Sequence, residues 1–263
     1  MPANQPKCLN CGNVLIGNFC NNCGQKADTH RITLKHFITH DLIHGVWHVE
    51  KGLFFTIKES LLRAGKASME YIEGKRIKYY NVFYLSLLLL GLNIFLIHYF
   101  QKTPEHNLEI GGDMTAITEF FKSNLKIIIL LFIPVISINA YFIFRKSKLN
   151  IAEQMIIVGF LFCGMIFLSI LQNLLDAIPP PFENFLDFSL IPIIDVILLL
   201  MPAYTYYQAF SKKYSKVRFL VRLFFFYLLN FVIYLIILFA IIIMFNYLHT
   251  GKMELEGTFQ FTN

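Results

Sequence analysis

Four cysteines open the chain in a pattern that can hold a metal ion. Residues 8–24 read CLNCGNVLIGNFCNNCG, so Cys8, Cys11, Cys20 and Cys23 form two C-x2-C pairs with eight residues between them. A two-residue gap places both sulfurs of a pair on one tight turn, facing a common ion. Gly12 and Gly24 each follow the second cysteine of a pair and supply the backbone freedom such turns need. Two such knuckles make a closed tetrahedron of soft ligands, the arrangement of structural zinc, with no position left for a water. A segment this short has no core in which to bury four unligated cysteines. In a reducing compartment the pattern reads as metal binding rather than disulfides. Cys163 stands far away without a partner and reads as a packing residue.

A second row of candidate ligands follows. KHFITHDLIHGVWH sets His36, His40, His44 and His48 at a strict four-residue interval. On a helix turning about 100° per residue each step advances about 40°, so neighbours can share an ion but the two ends, about 120° apart, cannot. Asp41 and Glu50 are the nearest carboxylates. Leu34, Ile38, Leu42 and Val46 repeat with the same interval on the opposite arc, and Trp47 borders the polar face. Two readings stay open: the wet side of a helix lying on a membrane or bundle, or a second metal or pH-sensing site. Membrane-bound hydroxylases and desaturases hold two irons with H-x(3-4)-H and H-x-x-H-H boxes. The chain has no H-x-x-H-H, and His98, His106 and His249 fall toward the other side of the expected membrane. G-x-S-x-G, H-E-x-x-H, P-loop and Rossmann patterns are also absent.

The elements that must carry these residues are membrane helices. The 263 residues are 56% hydrophobic and 15% charged, with a mean hydropathy of +0.55; soluble domains run at about 45–50% and about 25%. The excess sits in runs such as NVFYLSLLLLGLNIFLIHYF and FFFYLLNFVIYLIILFAIIIMFNYL, long enough to cross a hydrocarbon core of about 30 Å. The expected fold is an all-α integral membrane protein. A zinc ribbon over 1–26 precedes amphipathic juxtamembrane helices over 27–78. Five spans follow within 79–248, near 79–100, 125–144, 151–175, 189–210 and 219–248, with a tail over 249–263. In the juxtamembrane region Thr33 caps a helix running to about Val49. A second helix covers LFFTIKESLLR and ends at Gly65, and a third covers ASMEYIEG.

Charge sets the orientation. Of the 23 Lys and Arg, 19 fall in the region up to Lys78, in FRKSKLN and in SKKYSKVRFLVR, while the alternate loops are acidic or poor in basic residues. The positive-inside rule then places the N-terminus in the cytoplasm and the C-terminus outside. MPANQPKCLNCG has no basic segment leading into an apolar stretch, so no cleavable leader is expected. The same topology accounts for the net charge of +6. It disfavours nucleic acid as a partner and leaves anionic lipid as the simpler match for the basic face. Lys75, Arg76 and Lys78, directly before the first span, are placed to meet a lipid headgroup or another phosphate. Asp195 is the acidic residue well inside a span, which makes it a candidate for a transport path or for a carboxylate reaching the interface. Asn93, Asn139, Gln172, Asn173 and Asn230 read as hydrogen-bonding glue between helices.

With these parts in order, the chain resembles a family of uncharacterised bacterial inner-membrane proteins defined as a domain of unknown function. That family places a four-cysteine ribbon before a juxtamembrane segment of the form T-hydrophobic…PG…Y-I-x-G-K-R and several spans. The matching positions are Cys8, Cys11, Cys20 and Cys23, then Thr56, Gly65, Tyr71, Ile72, Gly74, Lys75 and Arg76; Ala64 stands where many relatives carry proline. The resemblance implies an architecture and an inner-membrane address, and supplies no activity.

Three functions are compatible with these residues. The first is a non-enzymatic membrane module whose ribbon and amphipathic helices engage a cytoplasmic protein or a second copy, or regulate the bundle. The second is a transporter or lipid-handling protein using Asp195. The last is a metal-dependent enzyme on the histidine row. Membrane lipids are partners in all three.

Overall fold

The computed structural model describes residues 6–29, 31–33, 52–100, 132–176 and 191–250. The histidine row and the body of the helix expected after Thr33 lie outside them. Among the described residues the chain is helical and carries no strand. Its helices are α1 (Leu53–Ile72), α2 (Val82–Phe100), α3 (Phe132–Ile143), α4 (Ile151–Asp176), α5 (Ile191–Phe210) and α6 (Lys216–Thr250). Three of them contain stretches long and apolar enough to cross a membrane: Ile151–Leu175, Pro192–Phe210 and Lys216–Ile241. Val82–Ile97 and Phe132–Ile143 are apolar over shorter lengths, and residues 125–131 of the second expected span lie outside the described part.

Helix α4 is the centre. Apolar residues occur all round it, as they must on a helix packed on every side, and Ile157, Val158, Phe160, Leu161 and Cys163 are fully buried. Helices α1, α2 and α5 pack on it. Its start is fixed by a reciprocal cap. The Glu153 N–H donates to Asn150 Oδ1 at 2.8 Å and the Asn150 N–H to Glu153 Oε2 at 2.8 Å.

Helix α1 consists of the two expected helical segments, but the break between them stands at Arg63 (φ −152°, ψ 44°), two residues before Gly65, and the second segment runs to Ile72. The break lets Arg63 pair with Glu59 and approach Glu70 at 3.7 Å. Gly65 serves a close crossing instead. A Cβ there would lie 2.0 Å from the Thr205 carbonyl oxygen of α5. Gln208 of α5 then bridges the interrupted ladder: it accepts from the Gly65 N–H at 3.2 Å and donates to the Leu62 carbonyl at 3.2 Å.

Pro202 interrupts α5 in a comparable way, and a neighbouring side chain again supplies the missing bonds. The Tyr227 hydroxyl of α6 accepts from the Ala203 N–H at 3.2 Å and donates to the Leu199 carbonyl at 2.7 Å. Around this junction Phe144, Tyr206, Phe210, Phe219 and Phe226 form an aromatic core; the Phe144 and Tyr206 rings stack with centroids 4.9 Å apart. The expected polar glue is present at Asn93, which bonds Ser169 and Asn173 across α2 and α4. It is present at Asn139 too, which donates to the Phe226 carbonyl. Asn230 differs, bonding that same carbonyl within its own helix.

Candidate metal centre

The two cysteine knuckles are copies of one another at an offset of twelve residues. The Cys8 N–H donates to the Asn13 carbonyl at 2.8 Å and the Gly12 N–H to the Cys8 carbonyl at 2.9 Å. The Cys20 N–H donates to Gln25 and the Gly24 N–H to Cys20, both at 2.8 Å. Isolated antiparallel bridges, Lys7 to Val14 and Phe19 to Lys26, close the two loops. Gly12 and Gly24 sit at φ 77° and 76°, where a side chain would be strained.

These turns bring four sulfurs together. All four Sγ atoms lie within 4.8 Å of one another, with Cys8 and Cys23 at 3.6 Å and Cys11 and Cys20 at 3.5 Å. Metal–sulfur bonds of about 2.3 Å in a tetrahedron put sulfurs about 3.8 Å apart, so the cluster fits one ion. Cys8 and Cys20 are buried. Bonds from the Asn13 backbone, and then from the Asn22 side chain, lower the Cys11 thiol to about 6, favouring the thiolate that a metal requires. Among the described residues no other group of His, Cys, Asp or Glu converges in this way.

The knuckles are bolted to the helices. Gln25, 4% exposed, donates from Nε2 to the Gly74 carbonyl at 2.7 Å and accepts at Oε1 from the N–H groups of Arg76 (3.1 Å) and Ile77 (3.3 Å). Leu9 packs where a Cβ on Gly74 would stand. Farther along, Arg31 grips Glu153 with Nε and Nη2 at 2.7 and 2.8 Å and donates to the Lys148 carbonyl at 2.9 Å. Asn150 Nδ2 donates to the Ile32 carbonyl at 2.8 Å. Lys213, in the turn before α6, reaches the Ser147 carbonyl at 3.1 Å. The knuckles, the α1–α2 turn, the α3–α4 turn and the α5–α6 turn therefore share one end of the bundle.

The basic trio before α2 is divided. Lys78 forms an ion pair with Glu70 and lies 5.0 Å from the Tyr79 ring, and Arg76 stacks on Tyr71 at 5.6 Å and donates to the Tyr71 carbonyl at 3.3 Å. Lys75 stays on the surface near Glu73, at 4.0 Å. Thr56, fully buried, bonds the Gly52 carbonyl and receives the Tyr80 N–H at 2.8 Å, tying α1 to the start of α2. Asp195 lies on the outside of α5 and accepts from Gln172 Nε2 at 3.3 Å. His36, His40, His44 and His48 are outside the described residues.

Compared with family models, curated proteins and solved structures, the chain matches none. The residues that dock the knuckles are Gln25, Arg31 and Glu153, and their pairing is not visible in the sequence. Only the Asn150-x-x-Glu153 spacing carried a local signal, that of a capping box. Gln25 and Arg31 find their partners 49 and 122 residues away.

Proposed function

We propose that this chain is a multi-span protein of the bacterial inner membrane whose four cysteines hold structural zinc. The zinc module acts as a cytoplasmic cap that sets the α1–α2 turn and presents a surface to a protein partner. One observation carries the reading: the buried Gln25 carboxamide joins the second knuckle to three backbone groups of that turn. A metal module free to recruit on its own would not need that bond. Five spans follow if the shorter apolar helices α2 and α3 also cross the membrane. The orientation is supported by the basic loops, since Arg31, Lys148 and Lys213 all meet at the knuckle end. Closed four-sulfur geometry leaves no open coordination position, which favours a structural over a catalytic metal. A transport path through Asp195 has less behind it, because that carboxylate is exposed on the outside of α5.

Elemental analysis of the purified full chain tests the proposal. One zinc per chain in the wild type, absent from Cys8→Ser/Cys11→Ser, is the expected result. Metal that survives the double substitution overturns the assignment of the site. Protein that holds zinc and keeps an unaltered α1–α2 turn after Gln25→Ala overturns the capping role.

A further inference from the structure

An open groove of about 860 Å³ runs along the outside of the bundle, within the range of about 300–1,000 Å³ used by small-molecule sites. Its walls are Leu62 of α1, Leu168 of α4, Ile197 and Tyr204 of α5, and Phe219 and Leu220 of α6. Among the described residues no acidic side chain lines it, and the one charged residue at its edge is Lys216, the first residue of α6.

Two features separate this groove from an ordinary lipid-facing seam. The first is charge. Three neighbouring cations are engaged, Lys213 with the Ser147 carbonyl, Arg218 with Ser215 and Arg222 with the Ile143 carbonyl, and Lys212 is not among the residues that line the groove. Lys216 has no acidic or carbonyl partner among the described residues, so its charge faces the groove mouth uncompensated. The second is depth. Ile197 and Tyr207 both line the groove, and their separation of ten residues spans about 15 Å of helix. That is half of a hydrocarbon core of about 30 Å, the depth of one leaflet. The cation stands at the end that carries the basic turns and the knuckles.

We propose that this groove binds one acidic phospholipid of the cytoplasmic leaflet, with an acyl chain against Leu62, Tyr204 and Leu220 and its phosphate at Lys216. The apolar walls match the chain in length, and the free ammonium matches the headgroup in charge. The site is distinct from the Lys75–Lys78 cluster, where Lys78 already holds Glu70. It rests on the orientation proposed above.

Native mass spectrometry of the full chain in detergent, titrated with phosphatidylglycerol or phosphatidylcholine, tests it. The wild type is expected to retain one phosphatidylglycerol in preference to phosphatidylcholine. Lys216→Gln should weaken that binding about fivefold, the worth of one lysine at an anionic surface, and Lys216→Arg should restore it. Leu200→Trp fills the groove and should abolish retention, whereas Ile236→Trp, exposed elsewhere on α6, should not. Equal retention of the two lipids, or equal loss in Leu200→Trp and Ile236→Trp, overturns the site, as does a dimer that excludes lipid. If Leu200→Trp does not fold, the Gln and Arg variants at 216 decide alone. Protease cleavage of the 211–216 turn in inside-out but not right-side-out vesicles checks the orientation separately. The opposite result overturns the leaflet assignment while leaving the detergent measurement readable.

Discussion

The Gln25 side chain closes on Gly74: its Nε2 donates to the Gly74 carbonyl at 2.7 Å while its Oε1 receives the Arg76 and Ile77 N–H groups at 3.1 and 3.3 Å. One carboxamide thus reaches three backbone groups of a turn whose own bond, from the Arg76 N–H to the Gly74 carbonyl at 3.0 Å, leaves the Ile77 N–H unmet. Gln25→Ala removes all three bonds; the Arg76 N–H and the Gly74 carbonyl keep their own bond at 3.0 Å, so the Ile77 N–H is the group left unpaired, at about 1–3 kcal/mol. The knuckles close on their own sulfurs, so the variant is expected to keep its metal and lose the dock. A lower thermal midpoint, with faster hydrogen exchange at Arg76 and Ile77 and unchanged zinc content, is the expected result. Gln25→Glu should be at least as damaging, since a carboxylate cannot donate to the Gly74 carbonyl.

The crossing of α1 and α5 gives a pair of substitutions with opposite signs. Gly65→Ala places a methyl group 2.0 Å from the Thr205 carbonyl oxygen, within van der Waals overlap of backbone rather than of a yielding side chain. The helices must separate, and the Gln208 bridge at 3.2 Å is lost with them. Gly91→Ala meets nothing within 4 Å, so it gains the better helix propensity of alanine, up to about 1 kcal/mol. Thermal unfolding of the two variants in one detergent should show Gly65→Ala falling and Gly91→Ala holding or rising.

What the sequence reveals here depends on how local the determinant is. The knuckles are legible because Cys8 to Gly24 contain all four cysteines and both turn glycines. The long apolar helices α4, α5 and α6 are legible because length and composition alone make them so. Gly65 shows the limit. A glycine within a helical pattern reads equally as an end or as a close approach, and only the Thr205 carbonyl opposite decides between them. The same holds for the two helix breaks. Nothing near Arg63 or Pro202 announces that Gln208 and Tyr227 will supply the missing bonds, because those side chains arrive from other helices. The partner of Lys78 is hidden for a related reason: only the fold brings Glu70, eight residues back, against it.

Arg31 and Glu153 share an ion pair but not its weight. The Arg31 side chain is 61% exposed and that of Glu153 only 3%. Arg31→Ala removes a partner that is itself mostly in solvent and leaves the Glu153 carboxylate bonded to the Asn150 N–H, so it should cost about 1 kcal/mol or less. Glu153→Ala also removes the cap on the Asn150 N–H and leaves the start of α4 open, adding about 0.5–2 kcal/mol. Denaturation of the two variants should therefore rank Glu153→Ala well below Arg31→Ala. Equal losses would mean that the ion pair, rather than the cap, holds residues 31–33 on α4.

Acid should loosen the α1–α2 hairpin through Glu70. Burial alone would raise its pKa, but the bonds from Lys78 and Tyr79 outweigh burial and hold it below its ordinary value of 4.5. A carboxylate depressed in the folded state contributes stability that is fully present above its unfolded pKa and is lost as pH falls through the folded value. The wild-type hairpin is therefore expected to keep this contribution through neutral pH and to lose it only below 4.5. Lys78→Met removes the first of the two compensating bonds and leaves burial in place, so the Glu70 pKa must rise. Acid unfolding of Lys78→Met, followed by hydrogen exchange over residues 70–80, should begin at a higher pH than in the wild type. Lys78→Met combined with Glu70→Gln should abolish the difference, because the carboxyl that Lys78 bonds is then no longer ionisable. An unchanged acid midpoint in the single variant would mean that Tyr79, bonded to Glu70 at 3.0 Å, holds the carboxylate without help from the lysine.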